Sequence, residues 1–381
     1  MMELKKRRVG VLTGGGDCSG LNAVIRALVR TVQSEGPDIE LVGVRNGFHG
    51  LIADHVELLS PDSVSGILPR GGTILGSSNR DDPFDFKGVI DGETLRGDVC
   101  SRVLSNAAKH TLEGLLVIGG DGTQEIGHKL SIRSRETGGE LGIIGVPKTI
   151  DNDLMATDRT FGFDTAVGIC SEAIDRIHTT AESHHRVMFV EVMGRHAGWI
   201  ALHAGLAAGG DVILIPEIPF SVRSIADAVE SRRARGKGFS IVVVAEGAVP
   251  QGGDPVFRTA SDGTKRKSLG GIARIVAEEL ERLTGLESRT TILGHVQRGG
   301  TPSAYDRVLA TRFGVLAARE AIAGRWGTLV ALRGDSVVPV PIAGAVGAQR
   351  LVDPLGEMVS VARATGVKFG DEVSEEAAGQ V

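Results

Sequence analysis

The chain has 381 residues, which is long enough for two domains, and its composition is that of a globular protein. With 41% hydrophobic residues it can bury a substantial core, and its length exceeds what one core usually organises. Its formal net charge of −5 gives no general attraction to nucleic acid or to an anionic membrane. Binding of an anionic ligand must therefore depend on local groups of arginine and lysine, and we expect neither nucleic acid nor membrane as a partner.

Cysteine usage and the first residues favour a location in the cytoplasm. Cys18, Cys100 and Cys170 are odd in number and widely spaced, as expected of reduced thiols packed in an interior. The basic start MMELKKRR is followed by only a short apolar run, so it lacks the apolar stretch of a signal peptide. No later segment reaches the ~20 apolar residues that a membrane span needs.

Short runs rich in Val and Ile predict buried parallel strands. The runs lack polar alternation, and several lead through a Gly-rich or charged loop into a helical pattern such as 21–33. They are VGVL (9–12), LLVI (115–118), LGIIGV (141–146), VMFVEV (187–192), VILI (212–215), IVVVAE (241–246) and TTILG (290–294). The fold class is therefore α/β. A surface excursion is predicted at 248–267 and a frayed acidic tail at 370–381.

Gly-rich loops follow two of these runs. TGGGDCSG (13–20) leads into a helix, where backbone N–H groups can cradle phosphate oxygens, although a tight structural turn is an equal alternative. GGDGT (119–123) adds Asp121, whose carboxylate is a hard ligand for Mg²⁺. The same pentapeptide occurs in lipid kinases and NAD kinases. It therefore indicates phosphoryl transfer without naming the acceptor.

A compact charged segment, PKTIDND (147–153), follows the predicted strand at 141–146. A cation, a hydroxyl and two carboxylates at the end of a strand suit phosphoryl transfer, with one carboxylate as base and the other near the metal. A solvated loop is the alternative. The four side chains are those of Lys148, Thr149, Asp151 and Asp153.

Arginines cluster further along the chain. Guanidinium groups match phosphate oxygens, so these residues are a plausible cage for a sugar phosphate, although each alone could form a surface ion pair. The candidates are Arg186, Arg195, Arg289, His295 and Arg298.

The motifs together resemble the phosphofructokinase family over about residues 8–310. The resemblance rests on their order and combination: RGGTILGSS (70–78), GGDGT, PKTIDND, VEVMGRHAG (190–198) and GHVQRGGTP (294–302). It implies two Rossmann-like α/β domains with mostly parallel sheets, an active site in the interdomain cleft, and a homodimer or homotetramer with shared sites.

The resemblance also implies a division of labour between the domains. Residues 1–162 with 297–347 would bind the donor phosphates of ATP with Mg²⁺, and residues 163–296 with 348–381 would bind fructose 6-phosphate.

Carried over by position, the family's donor site and catalytic groups fall on matching residues. Asp151 resembles the general base that takes the proton of the sugar's 1-hydroxyl, with Thr149, Arg195 and Lys148 completing the catalytic set. Asp121 and Asp153 resemble the Mg²⁺-associated carboxylates. The donor loops correspond to Gly15, Gly120, Asp121, Gly122 and Thr123. Asn79 stands where the family commonly has a donor-binding Arg, so that role passes to Arg80.

The family's acceptor site also matches residue by residue. Arg186 and Arg289 correspond to arginines that family members supply across a subunit interface. The remaining positions are Thr149, Asp151, Met193, Gly194, Arg195, Glu246, His295 and Arg298.

Two positions bear on the phosphoryl donor. Pyrophosphate users in the family typically carry Asp at position 122, where a carboxylate takes the space of the ATP α-phosphate; this chain has Gly122. Lys148 resembles the cation that supports pyrophosphate chemistry. Steric and electrostatic exclusion is the stricter constraint, so ATP is expected, with pyrophosphate as the alternative donor. A lipid or NAD kinase and a non-catalytic nucleotide or sugar-phosphate sensor remain more distant alternatives.

Overall fold

A computed structural model of the protein describes residues 6–259 and 267–372. It divides the chain into two compact units, each built from separate stretches of sequence. Unit 1 comprises residues 1–150, 154–164 and 298–349, and unit 2 comprises residues 151–153, 165–297 and 350–381. The assignment of the donor phosphates to one domain and of fructose 6-phosphate to the other remains a prediction.

Strands and helices alternate along most of the chain. The strands are β1 (Arg7–Thr13), β2 (Ile39–Val44), β3 (Val56–Leu58), β4 (Phe86–Ile90), β5 (Glu93–Gly97), β6 (Leu112–Gly119), β7 (Gly142–Pro147), β8 (Val187–Val192), β9 (Val212–Leu214), β10 (Ser240–Ala245), β11 (Phe257–Thr259), β12 (Lys267–Leu269), β13 (Ser288–Ile292), β14 (Thr328–Arg333) and β15 (Ser336–Pro341). The α-helices are α1 (Leu21–Glu35), α2 (Phe48–Ile52), α3 (Cys100–Lys109), α4 (Asp121–Glu136), α5 (Phe163–His184), α6 (Trp199–Ala207), α7 (Val222–Ala234), α8 (Ile272–Thr284), α9 (Ala304–Ile322) and α10 (Glu357–Ala364).

Unit 1 is built on a seven-stranded sheet in the order β15-β14-β7-β6-β1-β2-β3. The five central strands are parallel to their neighbours, and only the edge strands β3 and β15 are antiparallel. Residues 115–118 of β6 are fully buried, as expected of a strand covered on both faces. The predicted helix at 21–33 is α1.

Unit 2 contains a four-stranded sheet in the order β13-β8-β10-β9, in which every pairing is parallel. All six residues of β8 and of β10 are buried. The α/β class with mostly parallel sheets is therefore confirmed. The buried strands β2 and β14 were absent from the predicted runs, because short Leu-containing runs resemble buried helix segments as closely as strands.

The two segments predicted to lie outside the core are only partly described. The excursion contains β11, which pairs antiparallel with β12, while residues 260–266 lie outside the described residues. In the acidic tail, Asp371 forms an ion pair with Arg363 at 2.6 Å, and residues 373–381 lie outside the described part.

The three cysteines are buried and free of disulfides. Burial raises the pKa of the Cys18 and Cys100 thiols to about 12, so both stay protonated and unreactive at neutral pH. Within residues 6–259 and 267–372, no helix combines the length and apolar character needed to cross a membrane.

Candidate active site

In unit 1 the two Gly-rich loops begin side by side. They follow β1 and β6, which are parallel neighbours, and the Gly14 amide donates to the Ile118 carbonyl oxygen at 2.9 Å. The Thr123 side chain packs between the loops: a Cβ added to Gly14 would lie 2.5 Å from it, and one added to Gly119 2.3 Å. Close approach therefore requires glycine at both positions, and it brings the predicted phosphate loops together.

Lys148 connects the third strand end to these loops. Its backbone N–H donates to the Gly119 carbonyl oxygen at 3.0 Å, which continues the pairing of β7 with β6. Its side chain is 4% exposed, and Nζ donates to the Gly16 carbonyl oxygen. A Cβ added to Gly15 would lie 3.3 Å from Nζ. The predicted residues Gly15, Thr123 and Lys148 therefore form one cluster at the carboxyl edge of the sheet, where ligands of open α/β sheets bind.

The N-terminus of α4 lies in the same cluster. Asp121 is its first residue, and its Oδ1 accepts from the Gly347 amide at 3.4 Å. A Cβ added to Gly122 would meet no heavy atom within 4 Å, and one added to Gly120 would lie 3.4 Å from the Lys148 carbonyl oxygen. The helix end offers backbone N–H groups and a partial positive charge to an anion, and the space beside Gly122 is open.

Gln124 fixes this helix end to the sheet. The side chain is fully buried, and Nε2 lies 3.0 to 3.1 Å from the carbonyl oxygens of Val117, Gly119 and Val146. It thus holds the ends of β6 and β7 beneath α4. The sequence does not reveal this role, because a glutamine within a helix gives no local signal of such a contact.

A cavity of about 390 Å³ opens beside the first loop. Its lining combines this loop with residues of the segment 73–79, and consists of Gly15, Gly16, Asp17, Thr73, Ser77 and Asn79. Ser77 Oγ donates to the Gly15 carbonyl oxygen at 2.6 Å, which joins the two segments. Asn79 lines the cavity, whereas Arg80 is exposed and outside the lining. The donor role given to Arg80 therefore stays a prediction.

Arg298 also contacts the first loop. It belongs to unit 1, and its Nη1 donates to the Asp17 carbonyl oxygen at 3.2 Å. Lys148 and Arg298 therefore hydrogen-bond to consecutive carbonyl groups, those of Gly16 and Asp17. The family resemblance implies that Arg298 binds the sugar phosphate, and that role remains a prediction. The observed contact places its charge beside the loop predicted to hold the donor.

The charged segment 147–153 spans the boundary between the units. Lys148 and Thr149 belong to unit 1, while Asp151 and Asp153 belong to unit 2. The Asp153 carbonyl oxygen accepts from the Arg350 amide at 2.8 Å, and the Thr149 carbonyl oxygen accepts from Thr160 Oγ1 at 2.7 Å. Both ends of the segment are thus anchored by hydrogen bonds through the backbone.

In unit 2 the ends of β8 and β10 bring together two groups of predicted sugar-phosphate residues. The Glu246 amide donates to Val192 at 2.8 Å, and the Gly247 amide donates to Gly194 at 3.0 Å. Gly194 has φ of 136°, a conformation that favours glycine. Met193, Gly194 and Arg195 therefore lie beside Glu246, with Arg195 exposed.

Gln297 attaches the predicted residue His295 to the same region. It lies in the 3₁₀ helix Gly294–Arg298 and is 1% exposed. Its Oε1 accepts from the Met193 amide at 3.1 Å and from Cys170 Sγ at 3.0 Å, while Nε2 donates to Gly294 at 2.9 Å. Gln297 is not among the residues predicted from the sequence, although its place inside GHVQRGGTP is a usable signal.

Arg186 and Arg289 meet at one carboxylate that the sequence analysis also missed. Arg186 Nη2 lies 2.9 Å from Glu287 Oε1, and Arg289 Nη2 contacts the same oxygen. The hydrogen bond from Arg186, aided by the charges of both arginines, holds the pKa of Glu287 below its usual range. The two arginines are therefore neighbours at the edge strand β13.

The two predicted Mg²⁺ carboxylates lie in different units, Asp121 in unit 1 and Asp153 in unit 2. In the part of the chain that the structure describes, no three His, Cys, Asp or Glu side chains are grouped to hold a metal. Mg²⁺ in phosphoryl transfer is usually held by one or two carboxylates together with substrate phosphates. Asp121, at a helix N-terminus beside the Gly-rich loops, is consistent with that mode of binding.

Comparison with known proteins identifies the family to which the chain belongs. The family profile described as Phosphofructokinase matches residues 8–321. The chain is 50% identical over 376 residues to the ATP-dependent 6-phosphofructokinase of Chloroflexus aggregans, covering 98% of this chain and 100% of that one. It is 52% identical over 349 residues to the pyrophosphate–fructose 6-phosphate 1-phosphotransferase of Amycolatopsis methanolica, covering 91% and 96%. The crystal structure of a pyrophosphate-dependent phosphofructokinase from Marinobacter aquaeolei shares the fold, with a TM-score of 0.78 at 22% identity, over 97% of this chain and 89% of that one. The chain belongs to the phosphofructokinase family.

Proposed function

We propose that the protein is a 6-phosphofructokinase that transfers the terminal phosphoryl group of MgATP to the 1-hydroxyl of fructose 6-phosphate. The observation that carries this proposal is the buried Lys148 ammonium, which lies against the Gly15–Gly16 loop beside the N-terminus of α4. Backbone N–H groups, a helix end and a cation on one sheet edge are suited to hold transferring phosphates.

Within the donor half, Gly15 and residues 120–123 present backbone N–H groups to the phosphates. Lys148 neutralises charge that develops on the transferring group, and its burial strengthens that interaction. Asp121 and Asp153 would hold Mg²⁺, which when bound neutralises the donor phosphates and so favours attack on the terminal group.

In the transfer step, Asp151 accepts the proton of the 1-hydroxyl as its oxygen attacks the terminal phosphorus. The bond from that phosphorus to the bridging oxygen breaks, and ADP leaves. Thr149 and Arg195 orient the acceptor. The remaining sugar-phosphate contacts come from Met193, Gly194, Glu246, His295 and Arg298, with Arg186 and Arg289 supplied by a neighbouring subunit of a homodimer or homotetramer.

ATP is the donor that the local structure favours. The open space beside Gly122 leaves room for an α-phosphate and adds no negative charge. Pyrophosphate is the second candidate, because Lys148 is the cation associated with that chemistry and relatives of both names share about half of their residues with this chain. The setting we propose is glycolysis in the cytoplasm.

Product identification tests the proposal. The purified protein should convert MgATP and fructose 6-phosphate to ADP and fructose 1,6-bisphosphate in equal amounts. ³¹P NMR identifies and quantifies both products. NAD⁺ and a diacylglycerol serve as competing acceptors. Phosphorylation of NAD⁺ or of the diacylglycerol would favour an NAD kinase or a lipid kinase instead. Binding of fructose 6-phosphate without any product from ATP or pyrophosphate would favour a non-catalytic sensor.

A further inference from the structure

The side chain of Asn22 makes three hydrogen bonds to one loop. Asn22 lies in the first turn of α1 and is 1% exposed. Its Nδ2 donates to the Arg70 and Gly71 carbonyl oxygens at 3.1 and 3.2 Å, and its Oδ1 accepts from the Ile74 amide at 2.8 Å. The side-chain amide therefore hydrogen-bonds to the backbone on both sides of residues 72 and 73.

The residue held between these contacts is Thr73, which lines the 390 Å³ cavity with Gly15 and Gly16. Thr73 Oγ1 lies 3.1 Å from Thr13 Oγ1, and it accepts from the Leu75 amide at 3.2 Å. The position of Thr73 relative to the phosphate loop therefore depends on the course of the backbone through residues 70–74.

That backbone is weakly ordered by its own sequence. It contains two consecutive glycines, and Gly72 has φ of 64°, so the unanchored segment has many accessible conformations. A single amide that donates and accepts can select one of them. Ser19 makes a similar link nearby, because its Oγ lies 3.1 Å and 2.9 Å from the Gly299 and Gly300 carbonyl oxygens.

From this geometry we propose that Asn22 is a positioning residue for the phosphoryl donor: it fixes loop 70–74 so that Thr73 forms one wall of the donor cavity. The inference rests on the proposed function, which assigns that cavity to the donor phosphates. Asn22 itself is buried beneath the loop and acts through it.

Loss of the amide should loosen the loop without unfolding unit 1, because Arg70 is exposed and the neighbouring loop residues are partly exposed, so water can replace the lost contacts. Asn22→Ala should therefore raise KM for MgATP about three- to tenfold, in keeping with the loss of one to two net hydrogen bonds. KM for fructose 6-phosphate should change less than about twofold.

Asn106→Ala is the matched control. Asn106 Nδ2 donates to the Leu51 carbonyl oxygen at 2.7 Å, so this variant also loses an asparagine-to-backbone contact, but one that anchors α3 to α2. It should leave both KM values unchanged. Thr73→Val should raise KM for MgATP, and the Asn22→Ala/Thr73→Val double variant should show less than the product of the two single effects, since both act through one loop.

Hydrogen exchange of the Ile74 amide in the unaltered protein supplies a readout that needs no variant. The amide should exchange slowly without ligand, and more slowly still with MgATP but not with fructose 6-phosphate. Turnover by the wild-type enzyme tests the proposed function independently of the role of Asn22. An active enzyme whose Asn22→Ala variant has equal changes in both KM values, or strictly multiplicative effects with Thr73→Val, would overturn the inference. So would an Ile74 amide that MgATP does not affect.

Discussion

The ammonium group of Lys148 donates a hydrogen bond to the carbonyl oxygen of Gly16, and so joins the segment after β7 to the Gly-rich loop after β1. A buried charge is costly unless hydrogen bonds and opposite charges compensate it. Anionic phosphates bound at the same loop would interact favourably with this ammonium group. Under the proposed function, this contact links the local fold of unit 1 to donor binding.

Replacement of Lys148 by methionine should reduce turnover with either donor. Lys148→Met retains the length of the side chain and removes its charge, so kcat should fall by about 10²-fold or more, as for loss of one preorganised electrostatic group. Lys129→Met is the control, since Lys129 forms an exposed ion pair with Glu125 on α4. Steady-state kinetics of both variants check this. Comparable kcat values for wild type and Lys148→Met would remove the lysine from the mechanism.

Gly122→Asp should depress the use of MgATP far more than the use of pyrophosphate. A Cβ added to Gly122 would meet no heavy atom within 4 Å, and a carboxylate there would repel the α-phosphate. An acidic residue in the first turn of α4 also suits the helix dipole, so the melting temperature should not fall substantially. Gly122→Asn introduces a neutral side chain of nearly the same size as that of Asp. Comparison of the two variants therefore separates the effect of charge from the effect of bulk. An equal loss of activity with MgATP and with pyrophosphate in Gly122→Asp would contradict a role of this position in donor specificity.

Asp151→Asn should lower kcat by about 10²–10⁴-fold while leaving the binding of fructose 6-phosphate largely intact, because a positioned base mainly assists the chemical step. Asp85→Asn, which alters only an exposed pair with Lys87, serves as the control. Isothermal calorimetry gives the affinity and coupled assays the rate. Retention of near-normal kcat would show that another group accepts the proton.

Arg289→Ala should raise KM for fructose 6-phosphate, since it removes a charge-assisted contact to a dianionic group. A site shared between subunits can be tested by mixing this variant with Asp151→Asn. After subunit exchange, a mixed oligomer would combine Asp151 of one subunit with Arg289 of its neighbour and recover activity. Exchange verified by mass spectrometry without any recovery would show that each subunit uses its own arginine.

Much of the fold could be predicted because strand and loop signals are local. Each of the predicted runs overlaps an observed strand, and the helix predicted at 21–33 is α1. The Gly-rich loops and Lys148 could be placed at one sheet edge, since parallel strands end together.

The residues that hold the site in shape could not be predicted in the same way. Asn22, Gln124 and Gln297 act through buried amides that bond to backbone groups in other segments, up to 104 residues away for Gln297 and Met193. No periodicity or composition records such pairings. Glu287 was missed for a similar reason, because its contact with Arg186 depends on the pairing of β13 with β8.

Initial rates of the unmodified protein with fructose 6-phosphate, measured in parallel with MgATP and with Mg-pyrophosphate at matched concentrations, test the central claim most directly. The open space at Gly122 predicts faster formation of fructose 1,6-bisphosphate with MgATP. Faster turnover with pyrophosphate would contradict the assignment of ATP as the donor, and no product with either donor would contradict the assignment as a phosphofructokinase.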